Sequence, residues 1–400
     1  MLEAFVALVP VLDHWEVREI GGREVIDALV APGHRARGGT ASPALAAALA
    51  AWPGAHYWAD ADRGHLVLIR PLAAGRRERW GLHTLLFLLT VLCTLGAGAA
   101  LLGRWDPWVT VSPGSATAWP VVGAFLGALA DGLRFFVTAA AGGWRAMLAG
   151  WTFAVPLLAI LLVHELGHYF TARRYAVDAS PPFFLPLPPT LSPIGSLGAF
   201  LRLRSPVLDR RQLLDIGAAG PLAGFVVAFG VLVWGYATSR VPAYAGAAWH
   251  DLHGPYVLLA GQVLPLGDSL LTLALRHLVA PGAPALHLSA PAFAGWVGAF
   301  ITGLNLLPLS QLDGGHVLYA VLGPRQRTVA LLAVVGLLLL AQLNWSWYVW
   351  VVLALLIGGG RWSHPSVVVP DRPVTGARRW LGWLCALVFA LTFVPVPFRI

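Results

Sequence analysis

Lysine is absent from this 400-residue chain, so all 27 basic residues are arginine. Charge of either sign is scarce, at 12% of residues, about half of what a soluble globular domain carries. Cysteine is nearly missing: Cys93 and Cys385 each lie inside an apolar run. Two such residues supply neither a disulfide framework nor a paired-cysteine zinc site. The N-terminus has no basic stretch followed by an apolar one, so no cleaved signal peptide is expected. The arginines flank apolar segments and build no single basic face, which excludes nucleic acid as a partner. There is no long repeat and no low-complexity tail.

What remains is apolar sequence. Hydrophobic residues make up 58% of the chain, and the mean hydropathy is +0.70. An α-helical polytopic membrane protein is expected, preceded by a small α+β domain over residues 1–79. That domain has strand-like runs at Phe5–Leu12 and His65–Leu72 around an Ala-rich helix at Pro43–Trp52. Arg76, Arg77 and Arg79 then precede the first span, Leu82–Leu102, which places the domain in the cytoplasm by the positive-inside rule. Residues 103–119 read as an outer loop, and Val121–Ala141 as an interfacial or re-entrant helix, because it holds Asp131 and Arg134. Further spans are expected at Ala146–Phe170, Gly217–Tyr236, Pro291–Leu309, two short ones in Val329–Ile357 with a turn at Gln342–Trp347, and Leu381–Pro395. Those make about seven. Residues 181–193 hold six prolines and cannot be helical. With the strand-like Ile194–Arg204 they read as a re-entrant β-hairpin. An outer loop fills 239–289.

His164-Glu165-Leu166-Gly167-His168 ends an apolar run with no charged residue from Met147 to Val163. On a helix, His164 and His168 share one face, where both imidazoles can bind one zinc ion. Glu165 is placed to act on a water bound at that metal. From His164 to Arg173 a helix rises about 14 Å. That is roughly half of a ~30 Å hydrocarbon core, so the metal would lie within the bilayer. Two histidines and a glutamate buried in lipid without purpose would be costly.

A catalytic zinc usually has three protein ligands. Asp313, after the fourth span in Asn305-Leu-Leu-Pro-Leu-Ser-Gln-Leu-Asp313-Gly-Gly-His316, is the candidate third. The plain alternative is a turn residue, since Asp-Gly is a common turn pair. Asn305 reads equally as an interhelical hydrogen bond or as an amide that steadies the developing oxyanion. His316 is either an outer partner that orients a ligand or a helix-start residue. His250 and His253 sit in a loop, and His14, His34, His56 and His65 are scattered; all read as ordinary.

These segments resemble the site-2 protease family of intramembrane zinc metalloproteases. The resemblance rests on His164–His168 and Asn305–Gly315. It extends through Ser180–Leu185, Gly195–Phe200, Arg204-Ser-Pro and Ala219–Gly224, and more loosely to His364-Pro365 and Thr392–Phe398. It covers roughly residues 146–325 and looks most like the branch shared by chloroplast, archaeal and bacterial members. It implies His164, His168 and Asp313 as ligands of one zinc ion, Glu165 as catalytic base, and cleavage of a substrate's transmembrane helix. The loop 239–289 looks too short for a PDZ domain, and no CBS-type domain is expected. Residues 80–400 would be the protease domain, in a bacterial or archaeal cytoplasmic membrane with the N-terminus inside. The competing reading is a non-proteolytic zinc-binding membrane protein, either a transporter or a substrate-binding pseudoprotease.

Overall fold

The computed structural model describes residues 5–399 except 6, 21–22, 36–40, 72–77, 106–119, 176, 205–206, 208, 243–252, 260, 358–363, 365–366, 368–373 and 375. The outer loop expected at 103–119, His250, and four of the flanking arginines (76, 77, 361, 372) therefore lie largely or wholly outside the described residues.

Residues Met1–Glu78, with Ala176–Ser180 and Leu203–Leu208, form one compact unit. Its four-stranded sheet has the order β1 (Leu12–Ile20), β2 (Arg23–Val30), β4 (His65–Pro71), β3 (Ala55–Asp60), antiparallel throughout. Helix α1 (Pro43–Ala50) starts at Ser42, whose hydroxyl accepts from the Leu45 amide, with Pro43 in the first turn. Leu45, Leu49 and Trp52 cover Ile26, Ala28, Leu66 and Leu68 on one sheet face. Val25, Val67 and Ile69 are buried on the other. The strand expected at Phe5–Leu12 is corrected: Val9–Val11 is a 3-10 turn and the strand begins at Leu12. Pro10 lacks an amide hydrogen and fixes its own φ, so that run cannot join the ladder. The β1–β2 hairpin closes with Ile20 opposite Arg23.

The second unit comprises Arg79–Tyr175, Pro181–Arg202 and Asp209–Ile400. Its long helices are α2 (Trp80–Leu101), α3 (Pro120–Thr138), α4 (Trp151–Arg174) and α5 (Arg210–Ala237). Then come α6 (Leu270–Val279), α7 (Ala290–Asn305), α8 (Asp313–Leu322), α9 (Gln326–Leu340), α10 (Ser346–Ile357) and α11 (Arg379–Thr392). Among the described residues, four helical stretches are long and apolar enough to cross a membrane. They are Trp80–Leu101, Leu129–Arg174, Arg210–Ala237 and Asp313–Leu340. Large apolar side chains point outward from several helices, with Val226 71%, Leu332 67% and Leu356 70% exposed. So much exposed apolar surface fits a lipid surround and not water.

Some expectations stand and others change. Val121–Ala141, expected as an interfacial or re-entrant helix, is helical: α3 joins a π-helical turn at Ala139–Gly143, where Gly142 takes φ 106°. The span expected to reach Leu309 stops at Asn305. Pro308 disfavours helix at the residue before it. The loop expected at 239–289 contains a three-stranded sheet, β8 (Gln262–Pro265), β7 (Gly254–Leu259), β9 (Ala285–His287), and helix α6. Helices α9 and α10 part at 341–345, inside the region where a turn was expected. The proline-rich segment forms β5 (Phe183–Pro186), which pairs antiparallel with β6 (Ser196–Phe200). Gly195, at φ 75°, turns between them and lies directly on the Cys93–Thr94 backbone of α2, where a Cβ would collide.

Helix α7 is central. Every residue from Ala290 to Phe300 is buried, as expected of a helix that is apolar all round. It packs against α4 and α5, and its Gly295 and Gly298 lie against Leu232 and Ile160. These three helices, together with α8, carry the site.

Candidate metal site

Helix α4 delivers His164, Glu165 and His168 into the interior, at 4%, 6% and 8% exposure. Two glycines of α5 make room for the imidazoles. A Cβ at Gly220 would collide with the His168 ring, and one at Gly224 would meet His164 Nδ1 at 3.1 Å. The spacing of four places both on one face of α5. On α4, Gly167 in turn lies against the Ala219 carbonyl. The small residues thus press bare backbone against the rings and leave them little freedom. His168 Nδ1 lies 2.7 Å from the Ile216 carbonyl oxygen. A carbonyl only accepts, so Nδ1 carries the hydrogen and Nε2 keeps its lone pair for the interior.

Asp313 reaches the same point from the first position of α8. It is not a turn residue. The glycines after it serve close approach: a Cβ at Gly314 would strike the Leu306 and Leu307 carbonyls, and one at Gly315 that of Ser310. Helix α8 therefore starts tight against the connection 306–312, where Ser310 takes φ 41°. At its other end the Arg210 guanidinium donates to the carbonyls of Ala320 and Val321, 2.8 Å each.

Three ligand-capable atoms converge. His164 Nε2 is 3.2 Å from His168 Nε2 and 3.2 Å from Asp313 Oδ2, and His168 Nε2 is 3.3 Å from Asp313 Oδ1. Bonds of about 2.0–2.1 Å to a tetrahedral zinc put neighbouring ligand atoms about 3.3 Å apart. Two imidazole nitrogens and a carboxylate are also the donor types zinc takes. The residues fit the ion in chemistry and in spacing. Among the described residues this is the only group of three or more such side chains that could hold a metal.

Glu165, next to His164 on α4, is buried beside the triad at 6% exposure. Asn305 ends α7 with its Nδ2 3.4 Å from His164 Nε2, a long contact that leaves the amide beside the triad. One turn beyond His168 on the same face of α4, at Thr171 and Tyr175, opens a cavity of about 360 Å³ that also borders Asp215 and Arg378. Tyr175 donates to Asp215, which also accepts from Arg378 at 3.2 Å. His253, by contrast, is exposed and joins no such group.

Residues 152–343 match peptidase family M50. The resemblance to site-2 proteases holds across the stretch that contains His164, Glu165, His168 and Asp313. Among curated proteins, the probable zinc metalloprotease EGY2, chloroplastic, of Arabidopsis thaliana is 31% identical over 60% of this chain and 40% of its own length. The probable zinc metalloprotease EGY1, chloroplastic, of Oryza sativa subsp. japonica is 36% identical over 42% of this chain and 28% of its own. The chain thus spans well under half the length of these relatives. No solved structure matches it significantly.

Proposed function

We propose that this protein is an intramembrane zinc metalloprotease, one that hydrolyses peptide bonds within or near the transmembrane helices of other membrane proteins. One observation carries the proposal: His164, His168 and Asp313 converge at the spacing of a tetrahedral zinc site, from two helical stretches each apolar enough to cross a membrane. In this reading His164, His168 and Asp313 hold one Zn2+. When bound, the ion supplies Lewis-acid chemistry, acidifying water and polarising a carbonyl. Glu165 is the base that takes the water's proton and returns it to the departing amide nitrogen. Asn305, its amide beside His164, donates to the substrate carbonyl oxygen as negative charge develops there. The cavity at Thr171 and Tyr175 supports a polar approach for water from the inner side.

A substrate helix hides its carbonyls in its own hydrogen bonds and must unwind before attack. Strand β6 pairs with β5 on one side and is an edge among the described residues, with Leu197 67% exposed. An unwound substrate added along Ser196–Phe200 would satisfy backbone groups that lipid cannot. Normal cleavage after proline substitutions across 195–201 would remove this step.

The finer topology belongs to the same reading: about seven spans, the shorter α7, α10 and α11 included, residues 80–400 as protease domain, and 1–79 as a cytoplasmic and regulatory domain. A bacterial or archaeal membrane draws no support from relatives named as chloroplastic. The proposal therefore extends to a multi-pass integral protein and no further.

The test compares wild type with Glu165→Gln in detergent, measuring bound metal and cleavage of single-span membrane peptides. One zinc in each is expected, with cleavage lower by about 10²–10⁴ in the variant. Zinc in both and cleavage in neither would favour a non-proteolytic zinc-binding protein.

A further inference from the structure

Gln326 is an amide where packing asks only for a hydrocarbon. It opens α9, is 1% exposed, and uses both ends of its side chain on backbone. Nε2 donates to the Pro308 carbonyl at 3.2 Å, and Oε1 accepts from the His364 amide at 3.1 Å. The His364 ring continues the connection. Its Nε2 is 2.7 Å from His316 Nδ1, and it stacks on Tyr319 with centroids 4.8 Å apart.

The two ends of this chain of contacts bracket one residue. Pro308 lies five positions before Asp313, and His316 lies three positions after it. Between them runs the irregular connection 306–312 and the first turn of α8, the part of the site with the least regular backbone hydrogen bonding. Helix α4 fixes His164 and His168 by its own ladder; Asp313 has no such support on its N-terminal side. A leucine or methionine would fill the place of Gln326 without burying an amide, whose burial is costly unless both ends are bonded. Both are bonded here: one to Pro308, ahead of the carboxylate, and the other to the backbone of His364, whose ring reaches His316 beyond it.

We propose that Gln326, with His364 as a strap, is a positioning residue for Asp313, holding the carboxylate at ligand distance from His164 and His168. Neither residue touches the metal. The inference rests on the reading of Asp313 as a zinc ligand.

The experiment is a zinc titration of the purified full-length protein, stripped with a chelator, against a competing chromophoric chelator. The variants are Gln326→Leu, His364→Ala, the double variant, the near-isosteric Gln326→Glu, and Asp313→Ala. Removing a partner that orients a ligand weakens metal affinity about 10–100-fold, which is the effect expected of Gln326→Leu and of His364→Ala. The double variant should be no weaker than the worse single one, because both are links of one unit. Gln326→Glu keeps the acceptor for His364 and loses the donor to Pro308, so it should fall between. Melting of the metal-free proteins is recorded alongside. Wild-type affinity in the Gln326 and His364 variants, with or without lowered melting, overturns the positioning role while Asp313→Ala still loses zinc. Wild-type affinity in Asp313→Ala overturns the ligand reading and the inference with it.

Discussion

Two clusters of buried ionisable groups lie in the larger unit, and they are built on opposite principles. Asp268 and Arg276 face each other at 3.1 Å, with side chains 7% and 15% exposed. Thr272 donates to the same aspartate. Every strong acceptor there meets a donor, and the opposite charges cancel. In the His164–His168–Asp313 cluster, two imidazole nitrogens and the two carboxylate oxygens face one another at 3.2–3.3 Å. Burial of charge alone does not mark a functional site, since both clusters have it. What marks the second is a surplus of acceptors around one point, which only a proton or a metal relieves.

That contrast can be broken in three graded ways. Asp313→Ala should have the largest effect, loss of stoichiometric zinc and of cleavage while the protein stays in the membrane; elemental analysis of the purified protein reads it. Asp268→Ala should do the reverse. It leaves Arg276 buried and unpaired, which costs about 3–5 kcal/mol in thermal unfolding, and the folded fraction keeps its zinc. Gly220→Ala sharpens the comparison from the packing side. Its methyl collides with the His168 ring, and displacing that ring should weaken zinc about 10-fold or more in chelator competition. A Gly220→Ala protein that binds zinc as wild type does would mean that close approach of α5 is not what sets the ring.

Much of the site's position was legible in the sequence, and the reason is physical. His164, Glu165 and His168 stand out because lipid-length apolar sequence tolerates few such residues. The spacing of four sets their common face with no help from the rest of the fold. Asp313 lay on a separate segment and was found by the same cost argument. Its setting was not legible. The expected helix ran on to Leu309, whereas Asp313 starts a helix of its own. A spacing such as Gly220-xxx-Gly224 marks close packing but not the neighbours, which here are the two imidazoles. Gln326 gave no signal, because a lone glutamine at a helix start reads as solvated until the fold buries it.

The rest of the architecture was harder for a related reason. Strand β1 carries Trp15, Glu16, Val17 and Arg18, all with exposed side chains, so alternation gave little contrast between its faces. Pro10 broke the run that looked most strand-like. The sheet formed by β7, β8 and β9 has strands of six, four and three residues, too short for a periodic pattern to register. Helices imposed by long apolar composition were readable; of the elements held by tertiary pairing, β4 and the β5–β6 hairpin were readable and β1, β2 and the β7–β9 sheet were not.

The central claim is that hydrolysis takes place within a membrane-spanning segment, at a site whose base is Glu165. It is tested most directly by mapping the cut. A single-span substrate is incubated in liposomes with wild-type or Glu165→Gln protein, and the product termini are read by mass spectrometry. The account predicts new termini inside the apolar span, formed by wild type and lost in the variant. Cleavage confined to the soluble flanks, or undiminished in Glu165→Gln, would contradict it.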